Sequence, residues 1–167
     1  LAILQFALWL IVGVGLIILF AYDSRWFLLP NRIMFPLIGL SIISIGLKIA
    51  HTPDPGALIV NACISILILS GLYYALYLIS RGRWIGFGDI KLGVVLALML
   101  ADWRLAFLTL FLANLIGCII VLPGLMAKKL GRHSHVPFGP MLIGAFFITG
   151  LFGQWIINWY FGGLTLY

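Results

Sequence analysis

The stretch GFGDIKLGVVLALMLA, Gly86–Ala101, sets an aspartate and a lysine at the head of an apolar run. From Leu92 to Ala101 that run is ten residues. As a helix it covers about 15 Å, half of a hydrocarbon core of about 30 Å. To cross a bilayer the helix has to begin near Gly86, or the bilayer has to thin around it. Either way Asp89 is drawn to headgroup level or below. Lys91 can snorkel outward on its long stem; a short aspartate cannot.

The rest of the chain is that of a membrane protein. Of its 167 residues, 64% are hydrophobic and 8% charged, against roughly half and a quarter in soluble domains. Further apolar runs lie at about 2–22, 33–50, 57–79, 105–125 and 139–161, each close to the length a span requires. With 86–101 they make six. The expected fold is all-α: a single domain over residues 1–167, a polytopic bundle of six transmembrane helices. The first run has no basic segment ahead of it, so it reads as a mature span rather than a signal peptide.

Six spans alternate sides. The segments 23–32, 80–91 and 126–137 share one face and carry Arg25, Arg32, Arg81, Arg83, Lys91, Lys128, Lys129 and Arg132; the opposite face has Lys48 and Arg104. Eight cations against two make the first face cytoplasmic and put both termini outside the cytoplasm. The net charge of +6 is thus accounted for by topology and by anionic lipid headgroups, without a nucleic-acid partner. Trp84, Trp103, Trp155, Trp159 and Tyr160 fall near the expected interfaces, as an aromatic belt does.

The chain has four acidic residues, Asp23, Asp54, Asp89 and Asp102. Asp54 lies in the turn HTPDPG and Asp102 in a very short turn before Trp103, where a solvated turn residue and a helix cap are the ordinary readings. Asp23 ends the first span and Asp89 opens the fourth, both on the cytoplasmic side. A carboxylate at membrane depth is costly and marks function by default; the bland alternative is a helix cap or a partner of a nearby arginine. As a pair they have a defined chemistry. Two close carboxyls cannot both ionise cheaply and share a proton. One then activates a water while the other polarises a peptide carbonyl and serves the leaving amine. Gly86 and Gly88 would provide unusual backbone angles and let a substrate backbone approach. Lys91, two residues past Asp89, points about 200° away on a helix and reads as an anchor.

Three ordered motifs extend this reading. Asp23 precedes Pro30 by seven residues, with Asn31 next; Gly86-Phe87-Gly88-Asp89-Ile90-Lys91 follows; Pro137-Phe138-Gly139-Pro140 opens the last span. In these the chain resembles the type IV prepilin peptidases, membrane aspartyl proteases of the GxGD type, and the resemblance covers nearly the whole chain. It implies an aspartic endopeptidase of the bacterial cytoplasmic membrane that cuts the short basic leader from prepilins or pseudopilins at the cytoplasmic face. The cut falls after a glycine, before the hydrophobic helix. Asp23 and Asp89 take the catalytic roles, with no cofactor and no metal. Gly86, Gly88, Lys91, Pro30, Asn31, Pro137, Phe138, Gly139 and Pro140 would shape the site or hold the substrate. Presenilin-like proteases share the order of the two aspartate motifs but end in Pro-Ala-Leu, which does not occur here. Many members of the resembled family also methylate the new N-terminus and carry paired Cys-x-x-Cys motifs. This chain looks like the peptidase part alone, so methylation is not supported.

Other polar residues have plainer readings. Cys63 and Cys118 sit inside apolar runs and read as small buried hydrophobes, and no Cys-x-x-Cys pair exists for a zinc ribbon or a thioredoxin-like site. His133 and His135 supply two metal ligands without a third. Asn61, Asn114 and Gln154, within spans, are expected to hydrogen-bond between helices. Two other functions stay open on the residues alone. One is a proton or cation relay through Asp23 and Asp89, against which count the placement of both acids at one face and the lack of an inverted repeat. The other is a non-catalytic assembly protein that holds pilin helices.

Overall fold

The computed structural model describes residues 2–83, 85–126 and 138–164. They form six helices, with no strand among the described residues. Helix α1 is Ala2–Trp26, α2 Asn31–His51, α3 Pro55–Ser80, α4 Phe87–Leu100, α5 Trp103–Met126 and α6 Gly139–Leu164. The chain is an all-α polytopic bundle. Five of the helices are long and apolar enough to cross a membrane; α4 is the exception.

The 14 residues of α4 cover about 21 Å. It can be short because of where it sits. It packs against α2, α3, α5 and α6, and nine of its residues are buried, so protein rather than lipid surrounds it. Backbone enclosed in this way has its polar groups satisfied by neighbouring helices, not by headgroups. Its last turn shows this. Ala101 takes a left-handed conformation, φ 51°, and its N–H donates to the Ala97 carbonyl at 2.8 Å. The Met99 carbonyl, orphaned at the helix end, accepts from Lys48 Nζ of α2 at 2.8 Å. The next helix starts at once, with Asp102 Oδ1 accepting from the Arg104 N–H at 2.8 Å. Asp54 caps α3 in the same way, accepting from the Ala57 N–H at 3.0 Å. Two of the four acids are thus used as caps.

The core runs through the centre of the bundle: Val12, Leu16 and Leu19 of α1, Leu92, Val95 and Leu96 of α4, and Leu142 and Phe146 of α6 are all buried. The outer faces are as apolar as the inner ones, with Phe6, Phe107, Phe111, Leu151 and Trp155 exposed. This is the surface of a multi-pass membrane protein, where lipid replaces water as the outer solvent. It also corrects the expectation for the cysteines: Cys63 and Cys118 are exposed on the bundle surface. Lipid accepts a small hydrophobe as readily as a core does, so lying in an apolar run does not imply an inward position. Asn114 likewise does not bridge helices. Its Nδ2 donates to the Leu110 carbonyl one turn back at 2.8 Å.

Helix α3 is interrupted by a π-helical turn, Leu67–Gly71. This turn presses on α4. Ser70 Oγ donates to the Ile90 carbonyl at 3.0 Å, and a Cβ placed on Gly93 would lie 2.6 Å from the Leu69 carbonyl oxygen and 3.2 Å from Ser70 Cα. Those atoms are backbone and cannot swing aside. Gly93→Ala is therefore expected to destabilise the bundle by about 1–3 kcal/mol, read as a lower thermal midpoint in detergent. Gly46→Ala, where nothing lies within 4 Å, is expected to be neutral or to stabilise by about 0.5–1 kcal/mol. Equal midpoints for the two variants would contradict the close α3–α4 contact.

Candidate active site

Helix α1 continues one turn beyond the run read as its span, so Asp23 lies within the helix rather than in the loop. The helix stops at Phe27, which adopts φ 54° and donates its N–H to the Asp23 carbonyl at 3.0 Å. The left-handed residue turns the chain back toward the bundle. Pro30, φ −65° and ψ 126°, then precedes α2, its carbonyl accepting from the N–H groups of Ile33 and Met34, each at 3.1 Å. Proline suits this place because its ring fixes φ and the N–H it lacks has no helical partner there.

Asp89 is the third residue of α4. Its Oδ2 turns back toward Gly86, lying 3.6 Å from where a Cβ of Gly86 would be, and the Gly86 backbone acts electrostatically on the carboxylate. Gly86 and Asp89 thus hold the N-cap and N3 positions that a capping box uses. Its other oxygen, Oδ1, faces Gly139 at the start of α6, 3.6 Å from a Cβ placed there. That same Cβ would overlap Asp23 Oδ2, and the Gly139 backbone acts electrostatically on the Asp23 carboxylate. Two carboxyls from helices far apart in sequence thus converge on one glycine. Asp23 is 5% exposed and Asp89 9%. Among the described residues the charged group acting on Asp89 is Asp23. The cap reading holds in part, since each carboxyl meets the free N–H end of a helix, α6 for Asp23 and α4 for Asp89, where backbone donors lack helical partners. One oxygen of each carboxyl, Asp23 Oδ2 and Asp89 Oδ1, lies beside Gly139.

The remaining predicted residues fall around this pair. Gly86 has φ −75° and ψ 148°, ordinary extended backbone, and Gly88 is helical, so neither provides the unusual angles expected of it. Nor is the room beside Gly88 open to a substrate: Leu29 Cβ and Cδ1 would both lie 2.9 Å from a Cβ at Gly88. The missing side chain lets the α1–α2 loop sit on the first turn of α4, and so brings Asp23 toward Asp89. Lys91 has a partner of its own. Its Nζ donates to Asn31 Oδ1 at 2.8 Å, between the rings of Phe35 at 5.0 Å and Phe87 at 5.1 Å. This bond ties the start of α2 to α4. Phe138 packs edge-on against Tyr73 of α3, ring centroids 5.2 Å apart. Pro140 takes the second position of α6, where a missing N–H costs nothing. Pro137, His133 and His135 lie outside the described residues. Among the described residues no three His, Cys, Asp or Glu side chains gather as metal ligands.

Tyr73 and Leu29 had no signal in sequence. Tyr73 stands in an apolar run with Tyr74 and Tyr77, and Leu29 in a pair of leucines; only the packing distinguishes them.

The chain matches the type IV leader peptidase family over residues 10–122, a segment that includes both aspartates. It is 30% identical to a prepilin leader peptidase/N-methyltransferase of Aeromonas salmonicida, covering 91% of this chain and 50% of that protein. Proteins of the same name match from Legionella pneumophila, at 30% identity over 90% of this chain and 55% of the relative, and from Pseudomonas aeruginosa, at 27% over 87% and 49%. The chain spans about half the length of these curated relatives. No solved structure gives a significant match. With a buried aspartate pair at one end of a membrane bundle, and a match that runs through both of its aspartates, the chain belongs to the type IV leader peptidase family.

Proposed function

We propose that this protein is an aspartic endopeptidase that removes the short basic leader from type IV prepilins or pseudopilins, with Asp23 and Asp89 as its catalytic pair. The observation that carries the reading is the convergence of the two buried carboxyls on Gly139. One carboxyl, ionised, takes a proton from a water held between them. The water oxygen bonds to the carbonyl carbon of the peptide, whose oxygen takes up the negative charge. The other carboxyl, protonated, hydrogen-bonds that oxygen and then delivers its proton to the nitrogen as the carbon–nitrogen bond breaks. No atom beyond water and peptide is consumed.

The leader is basic and the hydrophobic segment after it is a membrane helix, so the scissile bond belongs at a membrane face. Asp23 closes α1, while Asp89 and Gly139 open α4 and α6, so all three lie at one end of the bundle. Arg25, Arg32, Arg81, Arg83 and Lys91 flank that end, and Lys128, Lys129 and Arg132 stand in sequence between α5 and α6, which supports the cytoplasmic side of the bacterial inner membrane and termini on the other side. The partners are prepilin-like substrates and membrane lipids. The proposal takes up only the peptidase half of the relatives' name, since Cys63 and Cys118 stand apart on α3 and α5.

Cleavage by the purified chain in detergent tests the reading. A synthetic peptide with a basic leader, a glycine and an apolar helix is expected to yield two products cut after the glycine, identified by mass. Intact peptide after prolonged incubation with equimolar folded protein would count against it.

A further inference from the structure

We infer that the Tyr73 hydroxyl is a third catalytic group of this site, a hydrogen-bond donor to the oxygen of the peptide bond being cut. The inference rests on Asp23 and Asp89 being the peptidase pair. Tyr73 is 2% exposed, and its hydroxyl has no hydrogen-bond partner among the described residues. Buried hydroxyls are nearly always paired, because leaving one unpaired forfeits its hydration for nothing. A phenylalanine would fill the same space without that cost. The hydroxyl therefore calls for a partner that arrives with the substrate.

Its position says which partner. The Tyr73 ring lies edge-on to Phe138, the residue before Gly139, on which both carboxyls converge. The phenol is also within electrostatic reach of Asp89. Position, not lack of a partner alone, carries the point. The other unpaired buried hydroxyl among the described residues, that of Thr149, is ten residues along α6 from Gly139, about 15 Å away. Tyr73 is also held in place. It follows the π-helical turn Leu67–Gly71, which is fixed to α4 through Ser70 Oγ and the Ile90 carbonyl and through the close contact at Gly93. Such turns inside α-helices recur at functional sites because they re-aim the residues that follow. A rigidly placed donor beside the reacting carbonyl meets the charge that develops on its oxygen during attack by water. A phenol can do this while keeping its proton, leaving the protonated carboxyl free to serve the leaving nitrogen.

The test is the kinetics of Tyr73→Phe on the synthetic leader peptide, with Asp23→Asn and Asp89→Asn assayed in parallel. Loss of one preorganised donor is expected to lower kcat about a hundredfold, with KM changed less than threefold. The thermal midpoint should hold or rise, since an unpaired buried hydroxyl has been removed. A kcat within threefold of the parent, or a raised KM and lowered midpoint with kcat unchanged, overturns the role of Tyr73. If Tyr73→Phe is fully active while both Asn variants are dead, Tyr73 alone is refuted. If either Asn variant keeps full activity, the aspartate pair is refuted and Tyr73 with it.

Discussion

Asp89→Asn and Asp23→Asn are each expected to lower kcat for leader-peptide cleavage by about 10⁴-fold or more, about 5.5 kcal/mol of transition-state stabilisation. An asparagine keeps the volume and one acceptor oxygen of the aspartate but can neither take a proton from water nor hand one to an amine. The bundle should stay folded in both variants. Among the described residues neither carboxylate has a cation as its electrostatic partner, so its removal leaves no described buried charge unpaired. The double variant is expected to be no slower than the worse single one, because groups that act as a unit do not lose rate additively. Activity within tenfold of the parent in either single variant would end the account of the pair.

The second large effect belongs to a residue with no chemistry of its own. Gly139→Ala places a methyl group where Asp23 Oδ2 now lies and 3.6 Å from Asp89 Oδ1. The Asp23 carboxyl has to rotate out of the site. A displacement of about 1 Å costs about 100-fold in rate, and outright loss of the carboxyl about 10⁴-fold, so a fall of about 10³-fold is expected between the two. Gly144→Ala on the same helix is the control: nothing lies within 4 Å of its added methyl, and its kcat should match the parent. Should Gly139→Ala cleave as fast as Gly144→Ala, the convergence of both carboxyls on residue 139 would be wrong.

Much of this site could be read before any coordinates. Length and hydropathy located the helices because a bilayer imposes a minimum apolar length. The ten apolar residues after Lys91 already marked α4 as the short one. Its enclosure by four neighbours was not legible, since a buried helix and a lipid-facing helix are equally apolar all round. The same degeneracy hid the outward positions of Cys63 and Cys118. Asp23 and Asp89 stood out because so few acids occur in so apolar a chain. What brings them together did not, for it depends on pairwise fits: Leu29 against Gly88, Gly139 against both carboxyls, Lys91 on Asn31. A glycine in sequence says that a side chain is missing but not what fills the space. At Gly88 the space went to a loop of the protein itself rather than to substrate. The π-helical turn before Tyr73 likewise left little mark, because LILSG lies inside a longer apolar run and its one glycine does not by itself announce a π turn.

If Asp23 and Asp89 act on one water, both must reach it at once. An experimental structure of the protein bound to a leader peptide whose scissile bond is replaced by a hydroxyl-bearing isostere, the hydroxyl standing in for the attacking water, decides this. Carboxyl oxygens of both aspartates are expected within hydrogen-bond distance of that hydroxyl, about 3 Å each. A complex in which the nearest Asp23 and Asp89 oxygens stay more than roughly 6 Å apart, beyond two such hydrogen bonds, would contradict it.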